Sequence, residues 1–551
     1  GLVEGEALVW EAGFDDSDSA ADEAVADTED PAERLDAALD RTHRQLEALR
    51  DDSETAVDDV ASLIFNAHLL MLSDQQFSGA MRSLVHEGVE PGRAVRRVVA
   101  QFTRLFSRAG DQRILEKAQD VRDLGHRIVG NLIHPETPEA DYAGHIIVAR
   151  SIFPSELVSI AAQHAEGIVL YGTGMTAHIS ILARSLDLPV LITNDRAVHL
   201  IASGTFLILD AGEGTLYVSP DDSQIGPSRL AAGSKTPGPQ RMADRPEGFR
   251  VLANVNLFRD ARQASLSGAD GIGLYRSEFP FIIRNDLLTE EEQYVIYRRI
   301  AETVPSGEIV FRTADIGGDK ILAARGEAER NPFLGVRGIR FSLANRHMFQ
   351  DQLRAMLRAG AGHDLRIMFP MVSSVEEYEE ALSEVDASIA SLERDGFSFN
   401  LAPKLGAMIE LPSAVESISE LADLTDFLSI GTNDLVMYLL AVDRTNERLS
   451  QLYRSYHPTV LRVIKRIAEG VGPKLSELSV CGDAASDPRM VRFFLGLGIR
   501  KVSVAPADLH AVSRAMSMAA GDSSLGDFAN EMLSIRTVRE MEQFFADGSP
   551  A

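Results

Sequence analysis

Cysteine occurs once in the chain, at Cys481. A single thiol excludes an internal disulfide and fits a reducing cytoplasm. Basic residues are scarce: 54 Lys and Arg stand against 82 Asp and Glu, a formal net charge of -28. That balance argues against a nucleic-acid binder, which needs a basic face, and against an anionic membrane surface. An acidic surface suits a basic protein partner, or serves solubility and salt adaptation. No apolar run is long enough to cross a bilayer, and no signal-peptide pattern is present. What is there is ample: 551 residues, 45% of them hydrophobic, enough for three or four domains that each build a core. The chain opens at Gly1 rather than at methionine, so an upstream segment is expected to have been removed.

Residues 1–10 read as a short strand, and an acidic loop follows from Asp15. From Pro31 to Ile133 the apolar spacing is helical almost throughout, as in the run that starts at Ala32 and the run Ala61–Leu72. This predicts a helical bundle, without a phosphate loop or a metal-binding spacing, that serves as scaffold or docking surface. Between Pro135 and Pro220 short β runs alternate with short helices, at Gly144–Ala149, around Ile168, at Pro189–Thr193 and at Thr205–Asp210. Residues 219–247 carry Ser, Gly, Pro and charge with little periodicity and read as a linker. The expected organisation is an α/β domain of residues 1–12 and 134–220, interrupted by helices at 13–133. A linker at 221–247 then leads to a third domain at 248–551.

The α/β domain carries one stretch of chemical interest. A β run, Gly167–Tyr171, enters a glycine-bearing turn, and His178 follows it. Ile179, Leu182, Ala183 and Leu186 then recur at helical spacing, which puts His178 in the first turn of a helix. Unpaired N–H groups and the helix dipole favour negative charge there. A phosphoryl group on the imidazole would be stabilised by that setting. A lone histidine is more often a satisfied surface or core residue, so the remainder of the chain must decide.

From Gly248 onward eight apolar runs are each followed by a helical pattern: Phe249–Val255, Gly271–Tyr275, Ile309–Phe311, Leu365–Phe369, Leu405–Ile409, Phe427–Ile430, Leu478–Val480 and Lys501–Val504. Eight such runs over about 300 residues are the signature of a (β/α)8 barrel, whose chemistry sits at the C-terminal strand ends. Run two ends in Arg276 and run three in Arg312, with Arg337 in the segment that follows. Run five ends in Glu410, run six in Asn433 and Asp434 with Arg444 beyond, and run seven in Cys481. Singly, each would pass as a solvated charge, a salt-bridge partner or, for the thiol, core packing. Together they form a chemical set. Arginines bind phosphate and carboxylate oxygens with a planar fork. Two carboxylates hold Mg²⁺ together with substrate oxygens and water. A thiol can give or take a proton at carbon. The implied ligand is small, anionic and phosphorylated, with a carboxylate and a carbon that changes protonation. Phosphoenolpyruvate meets these demands.

The sequence resembles the phosphoenolpyruvate-protein phosphotransferases, enzyme I of the bacterial sugar phosphotransferase system. The resemblance covers nearly the whole chain and is strongest in Gly271–Phe279, Phe311–Lys320, Asn331–Arg337, Arg366–Met371, Ser429–Leu435, Ala441–Arg444 and Cys481–Asp483. The segment Asp120–Arg127 looks like the family's hinge helix. The resemblance implies that His178 is phosphorylated on a ring nitrogen, and that Arg276, Arg312, Arg337, Arg444 and Asn433 hold the substrate. It also implies that Glu410 and Asp434 bind Mg²⁺, with Mn²⁺ as a substitute. By the same resemblance Cys481 is expected to protonate the enolate carbon as pyruvate forms. The helical bundle is expected to dock a small histidine-containing phosphocarrier protein (HPr), the histidine domain to swivel, and a homodimer to form through the barrel. The chain departs from the family's Gly-Gly-x-Thr-Ser-His turn at Thr173 and Ala177, and it carries Asn66 where relatives often have an acid. Pyruvate phosphate dikinase and phosphoenolpyruvate synthase need a large ATP-binding domain before the histidine, for which residues 1–134 are too short. A nitrogen-branch enzyme I with a sensor domain upstream of Gly1 stays open as an alternative.

Overall fold

The computed structural model describes residues 2–10, 30–53, 65, 68–107, 112–133, 142–171, 179, 183, 186, 188–211, 214–220, 242–243, 246, 248–284, 287–304, 306–317, 331–443, 449, 452–519 and 521–547. The chain divides into two compact units, the first built on Gly1–Gly238 and the second, short segments aside, on the remainder.

In the first unit, strand β1 (Leu2–Trp10) is followed by helices α1 (Pro31–Ser53), α2 (Ser78–His86), α3 (Pro91–Ser107) and α4 (Gln112–Ile133). Leu35, Ala38, Leu39 and Leu46 of α1 are buried at helical spacing. Helix α3 starts on Pro91, whose fixed φ and missing N–H suit a first helical position. Its Val95, Val98 and Val99 are buried. Gly125 of α4 lies against them, and a Cβ there would stand 2.5 Å from Val99 Cγ2. The side chain of Asn131 then sets the register of α4 on α1, donating to Thr42 Oγ1 at 2.9 Å and to Gln45 Oε1 at 2.8 Å.

The chain then returns to β1. Strands β2 (His145–Ala149), β3 (Gly167–Tyr171), β4 (Val190–Thr193), β5 (Phe206–Asp210) and β6 (Thr215–Val218) complete a sheet of order β4-β3-β2-β1-β5-β6. β1 pairs in parallel with β2 and antiparallel with β5. The first strand of the chain is thus central in its sheet, and the helical bundle is an insertion after it. Helix α5 (Pro154–Ala162) follows β2. It is tied to α4: Asp123 accepts from the N–H of Ser155 at 3.1 Å and from its hydroxyl at 2.6 Å. β6, a short antiparallel edge strand, was not expected from the sequence. Its four residues between turns carry too little periodicity to register.

The second unit is a closed barrel. Strands β7 (Arg250–Val255), β8 (Gly271–Arg276), β9 (Glu308–Arg312), β10 (Asp364–Phe369), β11 (Lys404–Ile409), β12 (Phe427–Gly431), β13 (Leu478–Cys481) and β14 (Lys501–Val504) pair in parallel around the ring. β14 closes on β7 with Lys501 opposite Arg250 and Val504 opposite Ala253. The eight expected apolar runs are these eight strands. At the strand starts a partly buried ion network covers one end: Arg366 meets Glu308 at 2.7 Å and Glu477 at 2.9 Å, and Lys501 meets Glu477 at 2.8 Å. Arg366, part of one motif block, therefore works at the end away from the strand C-termini. Among the described residues no helix is long and apolar enough to cross a membrane.

Candidate functional site

Five strand ends supply the site. β8 and β9 finish on Arg276 and Arg312, β12 on Gly431, and β13 on Cys481, while Glu410 follows β11 directly. Asp434 lies in the first turn of the helix Thr432–Leu440, entered from Gly431. Parallel strands of similar length in a closed barrel deliver their last residues to one rim, so these side chains converge.

The convergence is electrostatic in character. Arg337 forks onto Asp315, with Nε to Oδ1 and Nη2 to Oδ2 both at 2.9 Å. It also reaches Asp434, with Nη1 to Oδ1 at 3.3 Å and Nη2 to Oδ2 at 3.2 Å. Arg312 donates to Glu278 and lies 3.6 Å from Asp315. Arg312, Arg337, Glu278, Asp315, Glu410 and Asp434 are all buried. Burial works to lower the pKa of both guanidinium groups, but the carboxylates around them raise it, and both stay charged. Glu410 shows the opposite balance. Burial, with Asp434 and Asp315 nearby, pushes its pKa up to about 8 against the pull of Arg312 and Arg337.

Backbone geometry serves the same cluster. Met371 adopts a φ of 58°, and its N–H donates to Glu410 Oε1 at 2.7 Å. A left-handed backbone at a non-glycine residue costs about 1–2 kcal/mol. Gly431 has no side chain to obstruct Glu410, since a Cβ would stand 2.7 Å from Oε2. On the neighbouring rim Asn433 and Asp483 clasp each other: Asn433 Nδ2 donates to Asp483 Oδ1 at 3.2 Å, and the Asp483 N–H donates back to Asn433 Oδ1 at 2.8 Å. Gly482, directly after β13, has a φ of +87°, and a Cβ there would meet Thr432 Oγ1 at 2.4 Å. Only glycine fits both constraints.

The thiol of Cys481 lies among Leu274, Val310, Met368, Met408 and Phe427. It accepts from Ser429 Oγ at 3.5 Å and donates to the carbonyl of Ile430 at 3.4 Å. Burial pushes its pKa upward. Arg276 is half-buried and donates to Asn256 Oδ1 at 3.2 Å. His178 and Arg444 lie outside the described residues, although Ile179 and Ala183, one helical turn apart beyond His178, are helical and buried.

The sequence reading missed Glu278 and Asp315 as members of the cluster. Both stand within motif strings, two residues after Arg276 and three after Arg312. The available signal was physical: a buried arginine at a strand end requires a carboxylate partner.

The family described as PEP-utilising enzyme, PEP-binding domain, matches residues 235–520. The N-terminal domain of PEP-utilising enzymes matches residues 1–117, and their mobile domain matches residues 142–214. The phosphoenolpyruvate-protein phosphotransferase of Haemophilus influenzae is 36% identical over 84% of this chain and 82% of its own. That of Priestia megaterium is 31% identical over 95% of this chain and 93% of its own. That of Staphylococcus carnosus is 31% identical over 88% and 87%. With three matching segments that include the whole barrel rim, and relatives aligned over most of its length, the chain belongs to the phosphoenolpyruvate-protein phosphotransferases of the PEP-utilising enzyme family.

Proposed function

We propose that the chain moves the phosphoryl group of phosphoenolpyruvate to a ring nitrogen of His178 and then to a histidine of HPr, releasing pyruvate. This is the first step of the sugar phosphotransferase system. The observation that carries the reading is the buried cluster of Arg312 and Arg337 with Glu410 and Asp434 at the C-terminal rim of the barrel.

The two guanidinium groups are fixed charges in a site of low dielectric, where they act strongly on phosphate oxygens. Arg276, Asn433 and Arg444 complete the grip on phosphate and carboxylate. In the first transfer the imidazole nitrogen attacks phosphorus, the P–O bond to the enol oxygen breaks, and the electron pair leaves with the enolate. The methylene carbon of that enolate takes a proton, which in this reading comes from the Cys481 thiol. In the second transfer the N–P bond of His178 breaks as a carrier histidine attacks, with no carbon chemistry.

The residues fit a divalent cation. Glu410, Asp434 and Asp315 offer only hard oxygen donors, and burial beside the other two carboxylates raises the pKa of Glu410, so added positive charge there is favourable. Glu410 and Asp434 would hold Mg²⁺, or Mn²⁺ in its place. Among the described residues no three ligating side chains are grouped to hold a metal by themselves, so substrate and water would supply the other ligands. When bound, the ion would supply positive charge that offsets the charge of the phosphate and of the leaving enolate.

In this reading residues 1–12 and 134–220 form the phosphohistidine domain, residues 13–133 the carrier-docking bundle, and residues 248–551 the substrate and dimerisation domain. The protein acts in the cytoplasm. Incubation with labelled phosphoenolpyruvate and Mg²⁺ should place an acid-labile, base-stable phosphoryl group on His178. Excess chelator or His178→Ala should abolish it. Label on another residue, or full labelling in chelator, sinks the assignment.

A further inference from the structure

We propose that Gln352, in the helix Arg346–Ala359 outside the barrel wall, positions the arginine side of the site for its anionic substrate. The proposal rests on the reading of the barrel rim as the phosphoenolpyruvate site.

Gln352 is fully buried. Its Oε1 accepts from the N–H of Ala314 at 2.8 Å. Its Nε2 donates to Ser277 Oγ at 3.2 Å and to the Tyr297 hydroxyl at 3.1 Å. Both N–H groups of the amide are therefore used. The partners lie on segments that matter: Ser277 separates Arg276 from Glu278, and Ala314 precedes Asp315. Ser277 in turn donates to the carbonyl of Arg312 at 2.7 Å. One amide thus joins the segment after β8 to the segment after β9. These segments carry Arg276, Glu278, Arg312 and Asp315, and Asp315 holds Arg337.

The far side of the amide is braced as well. Tyr297 donates to Gln293 Oε1 at 3.0 Å, and Gln293 Nε2 donates to the carbonyl of Leu288 at 2.9 Å. Ser277, Gln293, Tyr297 and Gln352 are all buried. A fully satisfied buried network holds its members in one arrangement. The geometry matters because a guanidinium fork engages phosphate only when both N–H groups point correctly. A shift of a rim segment by a fraction of an ångström would be felt in binding before it was felt in proton transfer at Cys481. Gln352 touches no substrate in this account; it acts through Ser277, Ala314 and the residues on either side of them.

Steady-state phosphorylation with phosphoenolpyruvate tests the proposal. Gln352→Leu removes every bond at similar volume. Gln352→Glu is isosteric and keeps an acceptor for Ala314, but it faces the Ser277 hydroxyl with an acceptor and draws its proton away from Arg312. Both variants should raise KM for phosphoenolpyruvate roughly tenfold, as losing a buried hydrogen bond does, with kcat within about threefold. Ser277→Ala should raise KM similarly, and the double variant with Gln352→Leu should be no worse than the worse single one, because the two act in series. Transfer from phosphorylated carrier back to His178 uses no barrel residue and should keep its wild-type rate. Wild-type KM in both Gln352 variants overturns the proposal. So does additive behaviour with Ser277→Ala, or a parallel loss of both half-reactions, which marks a general structural role. Failure of the underlying reading would look different: wild-type protein would then take no label from phosphoenolpyruvate at all.

Discussion

At neutral pH the Cys481 thiol carries its proton, because burial raises its pKa and the Ser429 hydroxyl, Arg276 and Arg312 only partly oppose that. It is thus in the state a proton donor needs. Donor capacity is complete at low pH and is lost only as pH rises through the elevated pKa. Cys481→Ala should slow both phosphoenolpyruvate turnover and exchange of pyruvate methyl protons by about 10²–10⁴-fold, the usual contribution of a positioned acid. Exchange between His178 and the carrier should be untouched. The measurement discriminates, because the same thiol also packs against Leu274, Met408 and Phe427. Proton exchange at the wild-type rate would leave packing as its whole role. At this scale Glu410, Asp434 and Cys481 were legible in the sequence, since a strand end is a position that can be counted. The partnership of Arg337 with Asp315 and Asp434 was not, because pairing across 22 and 97 residues of chain is set by the closed barrel.

Among the elements, α3 and α4 show how one missing side chain sets a helix crossing. Gly125 is costly within a helix, and Ala would ordinarily gain about 1 kcal/mol of propensity there. Here an added Cβ would stand 2.5 Å from Cγ2 of Val99, a β-branched side chain with little rotamer freedom. Overpacking of this kind costs about 1–3 kcal/mol. Gly125→Ala should therefore be neutral to destabilising, by up to about 2 kcal/mol after that propensity gain. Adding Val99→Ala should return part of the loss. Thermal unfolding of the two variants checks it, and a clear gain in stability from Gly125→Ala alone would contradict the close crossing. Helices of the bundle were readable from apolar spacing, and so were the barrel strands, whose runs are buried on both faces. β6 was not, being short and at an edge.

For the molecule as a whole, the proposed function requires one imidazole to meet phosphoenolpyruvate at the barrel rim and later a carrier on the bundle. We expect the histidine domain to swivel between these two positions about the segment near Arg122–Val129; the 219–247 segment read as a linker lies largely outside the described residues. Such movements take microseconds to milliseconds. An engineered crosslink between the histidine domain and the barrel should block carrier phosphorylation while sparing the first transfer in the closed state. Unimpaired carrier turnover in the crosslinked protein would rule the movement out. The proposed dimerisation through the barrel predicts a sedimentation mass of twice the chain. The sequence by itself determined the eight-strand rhythm, the insertion of helices ahead of an α/β domain, and the rim positions of Arg312, Glu410 and Cys481. Period and strand length are local properties, so counting along the chain reaches them. Only the tertiary structure decided that β1 is central in its sheet, that Arg366 covers the strand starts, and that Gln352 braces the rim. Each of these is a contact between residues far apart in the chain. Closure of the sheet or barrel selects such contacts, and no local pattern encodes them.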